Sequence, residues 1–412
     1  MKSLVDQGED LTIALAAPTG KAAMRLQASL GDLDGLPEVK TLHRLLGYRP
    51  GTGEFRHGPR HPLAADLVIV DEVSMIDLAM MNRLLGALHD DARLILLGDP
   101  GQLPSVEAGN LLADICKYGF PLSRAGAAMA ARVANLDETP QPTGHKLQDS
   151  LCELIDSHRF SPERGIGRLA AAIRRGETVH IEDDDEVSGH PIRTLTGSTL
   201  IEIYREYIDS IERGDDDETL AALLDSVRVL VPMREGDYGV TTLNVAIEDA
   251  LRLQGLAGSS PFYHGRPILV TRNDYNLRLY NGDVGICLMR GQDEPRVVFH
   301  GGGERREFLA SRLPGHETCF AMTVHKSQGS EFDHVALALP APATASQAQL
   351  LTREMFYTAI TRARRRVSLY FDERSLELSL ERHTVRHSGL GERLLLASPT
   401  PDQGAPGQMD LL

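Results

Sequence analysis

Three short apolar runs, each free of turn-forming residues, stand out in the N-terminal part of the chain: LTIALA at 11–16, LVIV at 67–70 and LILL at 94–97. Apolar runs of this length without alternation predict strands of a parallel sheet, buried on both faces. After the first run, Ala23, Leu26 and Leu30 recur at helical spacing, so a helix opens at Gly20. Farther along, PILV at 267–270, VGI at 284–286 and RVVF at 296–299 are punctuated by glycine, which predicts a small β-barrel over 263–313. The chain is therefore read as α/β, with a β insert in its second part.

The polar residues that end these runs carry the candidate chemistry. LVIV runs straight into Asp71 and Glu72. In an open α/β sheet, ligands bind beyond the carboxyl ends of the strands. Paired acids there suit a magnesium–nucleotide site, with Asp71 on Mg²⁺ and Glu72 orienting or deprotonating the attacking water. An acidic turn in solvent is the plainer alternative for two such residues alone. LILL runs into GDPGQLPSV at 98–106, which places Gln102 and Ser105 at the same sheet edge. An amide at that edge can sense a terminal phosphate. The stretch APTGKAA at 17–23 offers the free N–H groups of a helix start to an anion. It is not a P-loop, because Leu15 and Ala22 occupy the positions of the first glycine and the final hydroxyl.

These segments, with TLHRLLG (41–47), DEVSM (71–75), SHRF (157–160), GIG (165–167), RNDY (272–275), YNGD (280–283), TVHKSQGSEF (323–332) and YTAITRA (357–363), stand in an order that resembles the RecD family. Its members are the alpha subunits of exodeoxyribonuclease V, the RecBCD helicase–nuclease, and are superfamily 1 DNA helicases. The resemblance covers roughly residues 11 to 372. It implies two RecA-like motor domains, the first truncated, with an SH3-like β insert in the second. The expected division is 1–118 for the first domain, 119–150 for a connector, 151–255 with 316–373 for the second domain, 256–315 for the insert and 386–412 for a disordered tail.

The resemblance also implies the roles of residues. Asp71 holds Mg²⁺, Glu72 activates water, and Gln102 reports the terminal phosphate of ATP to the DNA site. Arg159 and Arg362 approach that phosphate from the second motor domain, a task suited to an always-charged, bidentate guanidinium. Gln328, Gly329 and Glu331 lie near the nucleotide. Pro18, Thr19, Lys21 and His43 face single-stranded DNA from the first domain, and Thr323, His325, Lys326 and Ser327 from the second. Short donors of this kind hold a DNA backbone without reading bases. The implied function is an ATP-dependent helicase motor in double-strand-break processing and recombinational repair, with ATP and Mg²⁺ as cofactors and RecB- and RecC-like subunits as partners. The family pattern places an N-terminal domain and a P-loop before residue 17, and no Gly-x4-Gly-Lys-Ser/Thr occurs among the 412 residues. The expectation is thus a first domain truncated at its N-terminus, and the alternative function is a non-hydrolysing remnant that binds DNA or partner subunits only.

Composition adds limits. The chain is 42% hydrophobic and 25% charged, enough for more than one domain with a core. A net charge of −15 argues against a protein that coats DNA over its whole surface, but leaves room for a local basic channel. Cys116, Cys152, Cys287 and Cys319 form no close pair and read as buried thiols of a reducing, cytoplasmic compartment. His57 and His61 lack a nearby third ligand and read as loop residues. No 18-residue apolar run predicts a membrane span. The acidic runs at 182–186 and 215–218 read as solvated loops and helix caps.

Overall fold

The protein is described by a computed structural model over residues 11–396, apart from 32–36, 108, 118–121, 135–138, 141–146, 155–158, 259, 275, 290–293, 302–303 and 387. The expectations for Tyr275, for Ser157 and for the end of the tail lie outside these residues.

The first sheet is parallel and has the order β2-β1-β5-β6. It comprises β1 (Ile13–Ala17), β2 (Lys40–Thr41), β5 (Leu67–Val70) and β6 (Arg93–Leu96), with a small hairpin of β3 (Tyr48–Arg49) and β4 (Glu54–Phe55) beside it. β5 lies between β1 and β6 and is buried throughout, as an unbroken apolar run requires. β6 departs from that expectation. It forms the edge of the sheet among the described residues, and Ile95 and the following Leu97, which fall on one face by strand alternation, remain 42% and 41% exposed. The helix Gly20–Leu30 opens where its spacing placed it, capped by the Thr19 hydroxyl, which accepts from the Ala22 N–H at 3.2 Å.

Past β7 (Val187–Pro191) and β8 (Val227–Val231) the chain makes an antiparallel five-stranded sheet. Its strands are β9 (Pro267–Val270), β10 (Val284–Leu288), β11 (Arg296–Gly301), β12 (Glu304–Leu309) and β13 (His316–Thr318), in the order β12-β11-β10-β9-β13. Three of these strands fall on the apolar runs read from the sequence. The chain then returns to a second parallel sheet, β14-β8-β15-β16-β7, through β14 (Ala321–Thr323), β15 (Phe332–Leu339) and β16 (Ala363–Phe371). The helix Arg353–Ile360 buries Met355, Phe356, Ala359 and Ile360 against this sheet, alongside Ile166, Leu169 and Ile173 of the helix Gly165–Arg175. Residues 363 to 371 form β16 itself, so Arg364, Arg365 and Arg366 project from a strand.

Two further regions carry helices of their own, and one expectation is corrected. The connector region holds a helix, Arg124–Ala134, whose alanine-rich composition favours helix without a strong apolar stripe. Within the tail, Leu390–Leu396 is helical and Ser388 donates to Asp114 at 2.5 Å, which ties it to the first half. Cys287 and Cys319 are buried thiols, but Cys152 is exposed because it lies in an irregular stretch outside the sheets. Among the described residues, no helix is long and apolar enough to cross a membrane, and no cluster of His, Cys, Asp or Glu could hold a metal ion by itself.

Candidate functional site

The carboxyl end of β5 is where the backbone departs from common geometry. Glu72 takes a left-handed conformation (φ 54°, ψ 42°), uncommon for a residue with a side chain and frequent at functional turns. The Asp71 carboxylate accepts from the Glu72 N–H at 2.9 Å, and the Asp71 N–H donates to the Ala16 carbonyl at 3.0 Å. Burial raises the carboxyl of Glu72 above its ordinary range, while the nearby Arg362 opposes the rise. A carboxylate nudged upward is better suited to accept a proton near neutral pH. Asp71 makes no ion pair among the described residues, which leaves its outer oxygen suited to a hard cation such as Mg²⁺.

The loop after β6 closes over this end of the sheet. A Cβ at Gly98 would meet Leu112 at 2.9 Å and the Val73 N–H nitrogen at 3.1 Å, so only glycine lets the two loops approach. The loop is then gripped from the second half of the chain. Tyr357 donates to Asp99 at 2.8 Å, the Leu103 N–H donates to Thr358 at 2.7 Å, and the Gln328 amide donates to the Leu103 carbonyl at 2.8 Å. Arg362 donates to the Gln102 amide oxygen at 2.9 Å and is only 2% exposed. Burial lowers its pKa, and Glu72 is the carboxylate that most opposes that shift. Gln102, Glu72 and Arg362 are thus brought together from segments far apart in sequence. Ser105 is buried, with its hydroxyl donating to the Glu107 carbonyl at 3.3 Å.

Arg159 joins the same cluster. It donates to Glu331, and to the Ala363 carbonyl at 2.8 Å. Burial lowers its pKa to about 10, with Glu331 opposing and the guanidiniums of Arg362 and Arg25 adding to the fall. Burial alone would raise the Glu331 carboxyl, but Arg159, Arg25 and Arg364 together hold it below its ordinary range. Arg364 lies 3.2 Å from it. Four guanidiniums, Arg25, Arg159, Arg362 and Arg364, thus share the carboxylates Glu72 and Glu331 at the junction of the two halves.

The residues expected to face DNA are placed more variously. Pro18, Thr19 and Lys21 surround the opening of the helix Gly20–Leu30, and a Cβ at Gly329 would lie 3.2 Å from the Thr19 hydroxyl. Lys21 is half-buried and donates to Ser330 at 3.4 Å. Burial lowers its pKa. His43 is exposed and sits in an aromatic group with Tyr48 and Phe55, at ring distances of 5.3 and 5.9 Å. Thr323 accepts from the Lys326 N–H at 3.3 Å, and the Lys326 ammonium pairs with Glu317 at 2.9 Å. Burial also lowers the pKa of the half-buried His325. Ser327 is fully buried and donates to the Val324 carbonyl at 2.7 Å, so its hydroxyl is taken up by the turn.

Three residues outside the expected set complete the cluster: Arg25, Asp99 and Tyr357. Arg25 follows Lys21 by one helical turn, which alone would have put both on one face. Asp99 and Tyr357 had no such signal, since their bond joins positions 258 residues apart.

The sequence matches the model of an AAA domain over residues 1–108 and that of a UvrD-like helicase C-terminal domain over residues 318–370. It is 35% identical to the RecBCD enzyme subunit RecD of Haemophilus influenzae and 40% identical to that of Mycolicibacterium smegmatis, each over 93% of this chain. The chain spans 65% and 66% of the length of these curated relatives. Among solved structures it is similar to the Bacteroides Pif1 helicase in complex with ADP-AlF3 and single-stranded DNA, at 14% identity, 93% coverage of this chain, 94% of that one and a TM-score of 0.46. The chain belongs to the RecD family.

Proposed function

We propose that this chain is the core of an ATP-driven DNA motor, the helicase subunit of an exodeoxyribonuclease V assembly with RecB- and RecC-like partners. The two parallel sheets would be its RecA-like motor domains, and the antiparallel sheet an SH3-like insert in the second. The observation that carries this reading is the convergence of Glu72 and Gln102 with Arg159 and Arg362 at the junction of the two halves. Hydrolysis of a nucleotide there would be felt by both sheets.

The residues present fit a magnesium–nucleotide tail. Asp71 would hold Mg²⁺, which supplies charge neutralisation at the phosphates. Glu72 would hold the attacking water and accept its proton. Arg159 and Arg362 would neutralise charge that develops on the transferred group, a contribution of about 10³–10⁵ in turnover for an arginine finger. The Gly-x4-Gly-Lys-Ser/Thr cradle is not found among these 412 residues, so no phosphate contact is assigned to APTGKAA. Lys21, His43, Thr323, His325 and Lys326 would hold single-stranded DNA by its backbone. Retention of the whole cluster speaks against a remnant that only binds.

The test is the ATPase of the assembled complex with and without single-stranded DNA. Arg362→Ala should lower stimulated turnover by about 10³-fold. Unchanged turnover would remove Arg362 from the chemistry and the reading with it.

A further inference from the structure

The helix Gly20–Leu30 reaches from the expected DNA side of the junction to its nucleotide side. Lys21 and Arg25 stand one turn apart on one face of that helix and hold two consecutive residues of the other half. Lys21 donates to the Ser330 hydroxyl at 3.4 Å, and Arg25 pairs with the Glu331 carboxylate. The guanidinium of Arg25 also lies 3.8 Å from Glu72. Glu331 has 8% of its side chain exposed and Glu72 has 14%, whereas Arg25 has 40%, so the carboxylates are shielded while the guanidinium opens partly to solvent. Close backbone approach supports the same joint, since the Cβ position of Gly329 lies 3.2 Å from Thr19 and 3.4 Å from the Ala22 nitrogen. Gly329 takes a positive φ of 74°, which favours glycine there.

We propose that Arg25 is a positioning residue which, with Lys21, clasps Ser330–Glu331 and locks the strand-binding face of the first half to the nucleotide-facing acids of both halves. This inference rests on the motor reading above and adds to it a residue and a route. An anion that drew Arg159 from Glu331 would leave Glu331 to Arg25 and Arg364, tightening the grip on the helix that carries Thr19 and Lys21. Arg25 itself touches neither reacting atoms nor strand. It acts through Glu331 and Glu72, as a guanidinium can when it spans two carboxylates.

The experiment combines a double-mutant cycle with hydrogen exchange on the full chain. Arg25→Met keeps the apolar stem and removes the charge, and Glu331→Gln keeps the shape and removes the partner. Each should weaken binding of a labelled oligothymidylate by about tenfold, and the double variant should be no weaker than the worse single one. Arg25→Lys should restore affinity to within about threefold, which a purely structural loss would not show. In both single variants, exchange should rise together over Gly20–Leu30 and over His325–Ser327. Additive losses, or faster exchange in only one of the two segments, would overturn the clasp. Should the unaltered chain fail to bind oligothymidylate, the motor reading fails, and the paired rise in exchange still decides the clasp. If Arg25→Met does not fold, Glu331→Gln tests the same contact from the other side, and unchanged exchange in it would overturn the proposal.

Discussion

The second parallel sheet seats β15 between β8 and β16 and keeps Val335–Leu339 out of contact with water, whereas the first sheet ends at β6, where Ile95 and Leu97 are 42% and 41% exposed. Both sheets are parallel and apolar, so the difference lies in neighbours and not in composition. β6 is hydrogen-bonded to β5 on one side and has no partner strand on the other among the described residues. Yet the loop that leaves β6 is the one held most heavily by the second half, through Asp99, Gln102 and Leu103. The weakest edge of the fold therefore carries the segment that joins the halves. An apolar strand with an open edge can pair with other chains, which native proteins usually prevent by cover or charge.

Substitutions of similar size in the two sheets should separate them. Leu337 is fully buried in the centre of β15, and Leu337→Ala should cost about 2–5 kcal/mol. Denaturant unfolding of the full chain checks this. A loss under 1 kcal/mol, on the order of a surface change, would mean that the second sheet is not the rigid one.

A smaller effect belongs to the second sheet alone. His334 on β15 bonds to the Ser368 hydroxyl at 3.0 Å, and burial, aided by Arg366, pushes its pKa down to about 4. Its ordinary value is about 6.5. Between these values the unfolded chain takes up a proton that the folded one refuses, so stability falls as pH drops from about 6.5 toward 4 and levels off below. His334→Gln should flatten this part of the stability–pH curve. A curve that keeps its slope in that variant would assign the effect elsewhere.

The smallest effect is expected at the open edge. Ile95→Thr on β6 should change stability by no more than about 0.5 kcal/mol, because the side chain is already half in water. It should also reduce concentration-dependent association, which light scattering would follow. A large loss of stability would show that Ile95 is covered in solution.

Much of the fold was legible from apolar runs. β5 falls on 67–70 as read, and β1 and β6 fall within two residues of the predicted runs. A run of apolar residues cannot report whether both faces of its strand are covered, so the exposure of Ile95 and Leu97 could not be read from it. The acids Asp71 and Glu72 were legible because a strand must deliver them to the sheet edge. Asp99 and Tyr357 were not, because their bond joins distant segments; for Arg25 the helical spacing from Lys21 gave the face but not its partners Glu331 and Glu72. Ser327 shows the converse: its residue type suits a DNA contact, but the turn consumes its hydroxyl.

Amide hydrogen exchange on the unaltered chain tests the contrast between the halves most directly. Amides of Phe332–Leu339 should be the slowest to exchange, and those of Arg93–Leu96 should exchange faster by a wide margin, while Leu103 remains protected by its bond to Thr358. Equal protection of β6 and β15 in a monomer would contradict the account, since it would show the first sheet closed at the edge where this structure leaves it open.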